Sequence, residues 1–339
     1  MNELKCFVKK IVSKKMWINL KKCKLFFPFY ILCYYDSHRY YKYSACSSID
    51  TSEKLIGKII MHYHVIEKGL TMPDKRMGFG QDKVLALCNL CQEYINEYSV
   101  DDSQLAHAIG VLVEYKKMHD DASFSLSAVV LTAIESLLVI YNAPSSSQID
   151  ISKEDYFKYV KSDFLLFSNS RSSVRNYTND NIPLDRLLNS IELAKKTPSA
   201  CNRQAWRSYI YTDKAKMNEI LEIQGGNRGF GHLGNKLIVV AAELGVFSGG
   251  DIGTEHNQAY IDGGMYAMNL LYALHYNEIA CCILNCSNTK ERDVKLRKVC
   301  KIKESEIFIA MIICGIPPTH FRIASSPRYE CSKTNTIIC

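Results

Sequence analysis

The stretch KLIVVAAEL (236–244) is apolar without interruption from Leu237 to Ala242. A strand with one wet face alternates apolar and polar residues, so an unbroken run of this length marks a strand covered on both faces. IFIAMIICG (307–315) has the same character, and both are expected to be central strands. Between them, IDGGMYAMNLLYALHY (261–276) reads as an apolar helix deep in the core. Further helices are expected at EDYFKYVKSDFLLFSN (154–169) and PLDRLLNSIELAKK (183–196), and a strand at SYIYT (208–212). Helices alternating with strands make this part α+β or α/β rather than all-helical.

Upstream the texture changes. SEKLIGKIIMHYHVIEKGL (52–70), DKVLALCNLCQEYINEY (82–98), DSQLAHAIGVLVEYKKMHD (102–120) and SLSAVVLTAIESLLVIY (125–141) all carry the helical period,. Gly69 is a plausible stop for the first, and Asp102 or Ser103 an N-cap for the third,. The fourth is apolar enough to be a buried helix. NAPSSSQID (142–150) has linker composition, which places a boundary there,. The expected organisation is an N-terminal arm (1–45), an all-α helical domain (46–150) and a mixed domain (151–339).

A chain of 339 residues, 47% hydrophobic and 23% charged, has the composition of a globular protein with about two domains,. The net charge of +7 is uneven: residues 1–44 hold ten Lys/Arg against two acids, so the remainder is close to neutral. The basic character belongs to the arm, and no nucleic-acid module accompanies it. Within the arm, LFFPFYILCYY (25–35) is uncharged but short of the roughly 20 residues of a spanning helix,. It reads as a helix packed on the protein or lying at a membrane surface, as a loose arm, or as a targeting signal. The 14 cysteines show no zinc-finger spacing, Cys88 and Cys91 fall inside a helical pattern as core residues, and a reducing cytoplasm is the simplest compartment,.

Three segments offer binding chemistry. SRSSVRNY (170–177) supplies Arg171, Ser172, Ser173 and Arg175, a set suited to an anion such as phosphate or to a solvated turn,. TPSACNRQAWRSY (197–209) presents Pro198, Ser199, Ala200, Asn202 and Gln204 beside Trp206. Amide side chains donate and accept at once, which suits the edge of a heteroaromatic ring, although a capped loop with a core Trp explains them too. IPPTHFRIASSPRY (316–329) reads as a basic loop with Arg322, Ser326 and Arg328, and EIACCILN (278–285) as a turn and short strand.

In this order the motifs resemble the nitroreductase family of FMN-dependent oxidoreductases. The resemblance spans about 165 to 330 and rests on RSSVR (171–175), PSACNRQAWR (198–207), GGNRGF (225–230), the apolar helix running into IACCIL, and GIP followed by SPR (326–328). It implies a nitroreductase-like three-layer α/β/α domain, α+β in class, assembled as an intertwined homodimer with FMN at the interface and NAD(P)H as co-substrate. By the same resemblance, Arg171, Ser172, Ser173 and Arg175 with Ser326 and Arg328 grip phosphate and ring edge. Pro198, Ser199, Ala200, Asn202 and Gln204 line the flavin, Ile279, Ala280, Cys281 and Cys282 face its reactive part, and Asn227 touches flavin or substrate. Ala205 stands where the family often has Pro, and the 278–282 turn lacks the usual glycines. No side chain is required as acid or base, because the flavin carries the chemistry. Cys281 and Cys282 read as structural, and no metal is expected.

In IMHYHVIEKGLTMPDKRMGFG (60–80), His64 and Glu67 share a helix face, as a hydrogen-bonded pair or as two ligands of a metal,. The following loop, with Lys75, Arg76 and two glycines, can reach an anionic ligand. The helical domain is expected to cover the flavin site or to dock a partner. Similar two-part chains occur among nitroreductase-like proteins of polysaccharide gene clusters. The competing functional reading is a non-catalytic flavin- or ligand-binding protein that recruits partners at the membrane surface.

Overall fold

The computed structural model describes residues 48–141, 148–246 and 257–338, with isolated positions in the first 47. From Ser52 on, four helices follow: α1 (Ser52–Leu70), α2 (Gln81–Glu97), α3 (Ser103–Asp121) and α4 (Ala128–Ile140). Side-chain caps set three of their starts. Thr51 accepts from the Lys54 N–H, Asp102 from the Gln104 and Leu105 N–H groups, and Ser127 from the Val130 N–H,. Apolar stripes then meet in one core, with Leu55, Ile59 and Ile66 of α1 against Leu87 and Cys91 of α2 and Leu105 and Leu112 of α3,. Gly69 lets the Phe79 ring lie against the end of α1, where any Cβ would collide with it.

Several expectations are corrected. α4 is strongly apolar apart from an exposed face of Thr132, Glu135 and Ser136, yet it buries only Val130, Ile134 and Leu137, and Val129 and Val139 are 64% and 88% exposed. It packs on the bundle through one stripe, so composition alone overstates its burial. The linker stretch ends in structure: Gln148–Ser152 form β1, antiparallel to β6 (His320–Ala324), with Gln148 opposite Ala324. Residues 142–147 lie outside the described ones. The helix expected over 154–169 is two, α5 (Lys153–Phe157) and α6 (Phe164–Ser170), broken before Asp163, which caps α6 by accepting from the Leu166 N–H,.

The mixed part continues through α7 (Leu184–Ala194), β2 (Trp206–Tyr211), α8 (Lys214–Gln224), β3 (Lys236–Glu243), α9 (Gln258–Tyr276), β4 (Ala280–Asn285), α10 (Lys290–Cys300) and β5 (Glu306–Gly315), and ends in the short α11 (Cys331–Thr334). The sheet order is β2-β3-β5-β4, antiparallel throughout, with the two apolar runs as central strands. Side chains alternate between two cores. Leu237, Val239, Met311 and Ile313 join the layer of α8 and α10, whereas Ile238, Val240, Ile312 and Cys314 join that of α7 and α9. The result is an α/β/α sandwich in an α+β chain, preceded by a helical bundle. α9 buries Tyr266, Leu270 and Leu274 against the sheet, but its other face, with Tyr260, Ile261 and Met265, is exposed rather than deep in the core.

No described helix is long and apolar enough to cross a membrane. Of the helix expected at 25–35, the described positions Phe26, Phe27, Tyr30, Ile31, Cys33 and Tyr34 are helical, and all but the half-buried Cys33 are exposed.

Candidate functional site

After α6 the chain leaves in extended backbone at Arg171 and passes through Arg171–Arg175 as neither helix nor strand. The Val174 N–H donates to the Cys281 carbonyl (3.0 Å), which ties this segment beside the start of β4. The Tyr156 hydroxyl donates to the Ser172 carbonyl (2.8 Å) and the Tyr177 hydroxyl to the Val174 carbonyl (2.5 Å). Burial raises the Cys282 thiol, and Arg175 and Ser173 both draw it down. Arg175 is only 7% exposed, its Nε has no partner, and its guanidinium carbon lies 6.0 Å from the Phe230 ring centre. A buried guanidinium with an unused donor is costly, and among the described residues Arg175 has a donor to spare,.

The charge of the row reaches its neighbours. His275 is buried, and burial, followed by the nearby Arg171, holds its imidazole down at about 4; its Nε2 lies 2.8 Å from the Ser170 hydroxyl. Burial pushes the Cys281 thiol up to about 12 against the pull of Arg171, and it also raises Cys282 against Arg175 and Lys68. Both thiols are free and 2% exposed, as structural cysteines are,.

The second segment, 197–205, is held on α9. A 3-10 turn (Ala200–Asn202) directs the Ala200 N–H at the buried Asp262 carboxylate (3.1 and 3.3 Å), which also accepts from Gln258 Nε2 (2.7 Å). Asn269 donates to the Thr197 hydroxyl (2.9 Å), and Trp206 stacks on Tyr266 at 4.9 Å and 5°. Ser199 accepts from the Gln204 N–H (3.0 Å). Asn202 and Gln204 sit at φ of 54° and 50°, uncommon for residues with a Cβ, and both are exposed together with Pro198,.

These two segments are not brought together within one chain. The 197–205 loop enters β2 at Trp206, opposite Ala242, at the end of the sheet where Glu243 faces Glu306. Arg171–Arg175 lie beside Cys281 at the other end, where Ala280 faces Gly315. β5 spans the distance between them, about 23 Å from Ile307, opposite Ala242, to Cys314, opposite Cys281,.

Asn227 lies at the same end as Arg175, in the loop before β3. Its amide nitrogen already donates to the Leu221 carbonyl and Gln224 Oε1, closing the end of α8. The Ile279 N–H is engaged by the Leu274 carbonyl (2.9 Å), so that amide is not presented to a ligand, and Ile279 and Ala280 are fully buried. The basic loop expected at 316–329 is partly strand. Arg322 lies on β6 and pairs with Asp150 (2.6 Å) and Glu114 of α3 (3.7 Å), so it joins the bundle to the β1–β6 ladder rather than gripping phosphate. Arg328 is exposed, donates to the Ser326 carbonyl, and its charge reaches Tyr63 of α1.

The helical part contributes more than its sequence suggested. Glu67 is fully buried and takes a hydrogen bond from His107 (3.0 Å), a partner the sequence reading missed, with His64 at 3.5 Å. Lys68, one residue on, faces away from that pair. With Arg76 and Asp74 it lines a cleft of about 350 Å³ whose opposite wall is the Gly225–Phe230 loop, including Arg228. Among the described residues no three acidic, His or Cys side chains form a metal-binding group.

Residues 169–227 match the model of the Nitroreductase family. No curated protein matches the sequence. Among solved structures, a protein described as an NADH oxidase from Clostridium acetobutylicum is 18% identical with a TM-score of 0.43, over 49% of this chain and 96% of its own. An FMN-dependent nitroreductase from Clostridium difficile is 17% identical with a TM-score of 0.41, over 49% and 92%. NfrA2 of B. megaterium is 16% identical with a TM-score of 0.43, over 51% and 72%. The chain thus resembles the nitroreductase family, and the resemblance is carried by the segment from 169 to 227 that holds both the arginine row and the 197–205 loop.

Proposed function

We propose that the protein is an FMN-dependent oxidoreductase using NAD(P)H, and that it works as a homodimer. The observation that carries this reading is the row Arg171, Ser173 and Arg175 set against β4, with the buried Arg175 Nε unpartnered. A flavin phosphate and the acceptor atoms of the isoalloxazine rim are acceptors of the kind such a row lacks. Arg171 and Ser173 would hold the phosphate with Arg328, and Arg175 the ring edge. Bound FMN would supply the redox chemistry that couples NAD(P)H to an acceptor in alternating half-reactions. The protein's part is to bind, orient and exclude water. The guanidinium charges favour electron density on the nearby ring, and the buried thiols stay protonated and inert.

The division of the binding groups supports the homodimer. Ser199, Asn202 and Gln204 precede β2 at one end of the sheet and the arginine row lies at the other, about 23 Å along β5, so one copy completes neither end,. Two copies related by a two-fold axis can bring the loop of each to the row of the other, which yields two equivalent sites. The exposed apolar face of α9, with Ile261 and Met265, fits burial in such an interface,.

The test is spectroscopic. The purified protein is loaded with FMN and given NADPH or NADH without oxygen. Bleaching of the flavin bands supports the reductase half-reaction. A bound flavin that stays oxidised with both donors points to the non-catalytic binding protein, and failure to take up FMN overturns the site.

A further inference from the structure

The cleft between the helical bundle and the Gly225–Phe230 loop holds three cations that the flavin site as described does not use: Lys68, Arg76 and Arg228. None of the three side chains has an ion pair or hydrogen bond among the described residues, and one carboxylate, Asp74, lines the cleft with them. Lys68 is held below its ordinary value by burial and then by the charge of Arg175, so the cleft gathers three cations against the one carboxylate of Asp74. Positive side chains collected in a partly closed cleft favour an anion, and guanidinium forks favour phosphate or carboxylate oxygens.

The cleft is built rather than incidental. The loop that carries Arg76 is pinned from behind, where His119 Nε2 accepts from the Gly78 N–H (2.8 Å) and the Tyr115 hydroxyl donates to the Phe79 carbonyl (2.6 Å). The opposite loop needs glycine to come so close: Gly229 has φ of 86°, and a Cβ there would lie 3.2 Å from the Met72 sulfur. The cleft is continuous with the arginine row through Phe230, which lines it and sits under Arg175.

We propose that this cleft is a phosphate subsite in which Lys68, Arg76 and Arg228 hold the phosphate or pyrophosphate of a substrate whose reacting end lies at the arginine row. The helical bundle is then a substrate-recognition element. The identity of that substrate rests on the oxidoreductase reading, whereas the anion site itself does not. Two sources carry the same chemistry: the pyrophosphate of the nicotinamide dinucleotide and a phosphorylated acceptor.

The test is a calorimetric titration of the FMN-loaded protein with inorganic pyrophosphate. Two double variants are compared, Arg76→Gln with Arg228→Gln, and Arg171→Gln with Arg328→Gln. Arg76 and Arg228 are exposed, so their replacement leaves folding intact. The proposal expects saturable, salt-sensitive binding that weakens about tenfold or more in the first pair. Binding unchanged in the first pair, or lost only in the second, overturns it. Repeating the titration with oxidised NADP+ present separates the sources: loss of the pyrophosphate signal assigns the cleft to the dinucleotide, and its persistence to a phosphorylated acceptor. If FMN does not load, the same titration on the apoprotein still decides the anion site, while the oxidoreductase reading fails separately.

Discussion

The backbone N–H of Val174 donates to the carbonyl of Cys281 at 3.0 Å, and this bond places Arg171, Ser173 and Arg175 against β4. The side chains of the row therefore inherit the rigidity of the sheet. A loop-borne cluster would lose more entropy on binding than one tied to a strand.

Arg175 should be the residue whose loss hurts cofactor binding most, because it is buried with a donor unused. Arg175→Met is expected to weaken FMN binding about tenfold or more, measured by quenching of flavin fluorescence. Arg175→Lys keeps the charge but not the planar fork and should fall between. Equal affinity in all three proteins would remove Arg175 from the site.

Asp262 holds the other half of the site. It is fully buried and accepts from the Ala200 N–H and from Gln258. Asp262→Ala leaves both donors unsatisfied and should cost about 2 kcal/mol of stability in thermal unfolding. It should also open the 197–205 loop to proteolysis. A loop that stays protected would show that Trp206 on Tyr266 suffices to hold it.

Acid should unfold the protein in two stages. Burial and then Arg171 depress His275 to about 4 from the usual 6.5, so its contribution is complete above 6.5 and is lost as pH falls toward 4,. Burial alone would raise Glu67, but the hydrogen bond from His107 and the nearby His64 hold it near 2 against the usual 4.5. Its contribution is complete above 4.5 and lost as pH falls toward 2,. Each amounts to something on the order of 3 kcal/mol. Denaturant titrations from pH 7 to 3 should show the upper stage vanish in His275→Gln and the lower weaken in Glu67→Gln. Unchanged pH profiles would show that neither group couples to folding.

The central strands were legible because an unbroken apolar run has few stable places other than between two helix layers. β1 and β6 were not: QIDIS and HFRIA are short and charged, and Asp150 and Arg322 make sense only once paired with each other. α4 misled for the opposite reason, since a high apolar content looks buried whether or not a second layer covers it, and the polar face of Thr132, Glu135 and Ser136 was the signal to heed. The arginine row was visible as a motif, but its relation to the 197–205 loop was not, because sequence order hides the two ends of an antiparallel sheet. Asp262 was missed as a lone acid in an apolar helix whose partner, Ala200, is 62 residues away. The cleft cations come from segments about 150 residues apart, and only the docking of bundle on loop brings them together.

The most direct test of the account is to co-express two variants, one with Arg171→Gln and Arg175→Gln, the other with Asn202→Ala and Gln204→Ala, carrying different tags. Mixed dimers are isolated by both tags and their flavin content is measured. In a mixed dimer one site takes both damaged halves and the other takes both intact ones. The account predicts about one tightly bound, NAD(P)H-reducible FMN per mixed dimer and little in either parent. A mixed dimer with no more flavin than the parents, or a monomer that holds flavin alone, would contradict the shared site.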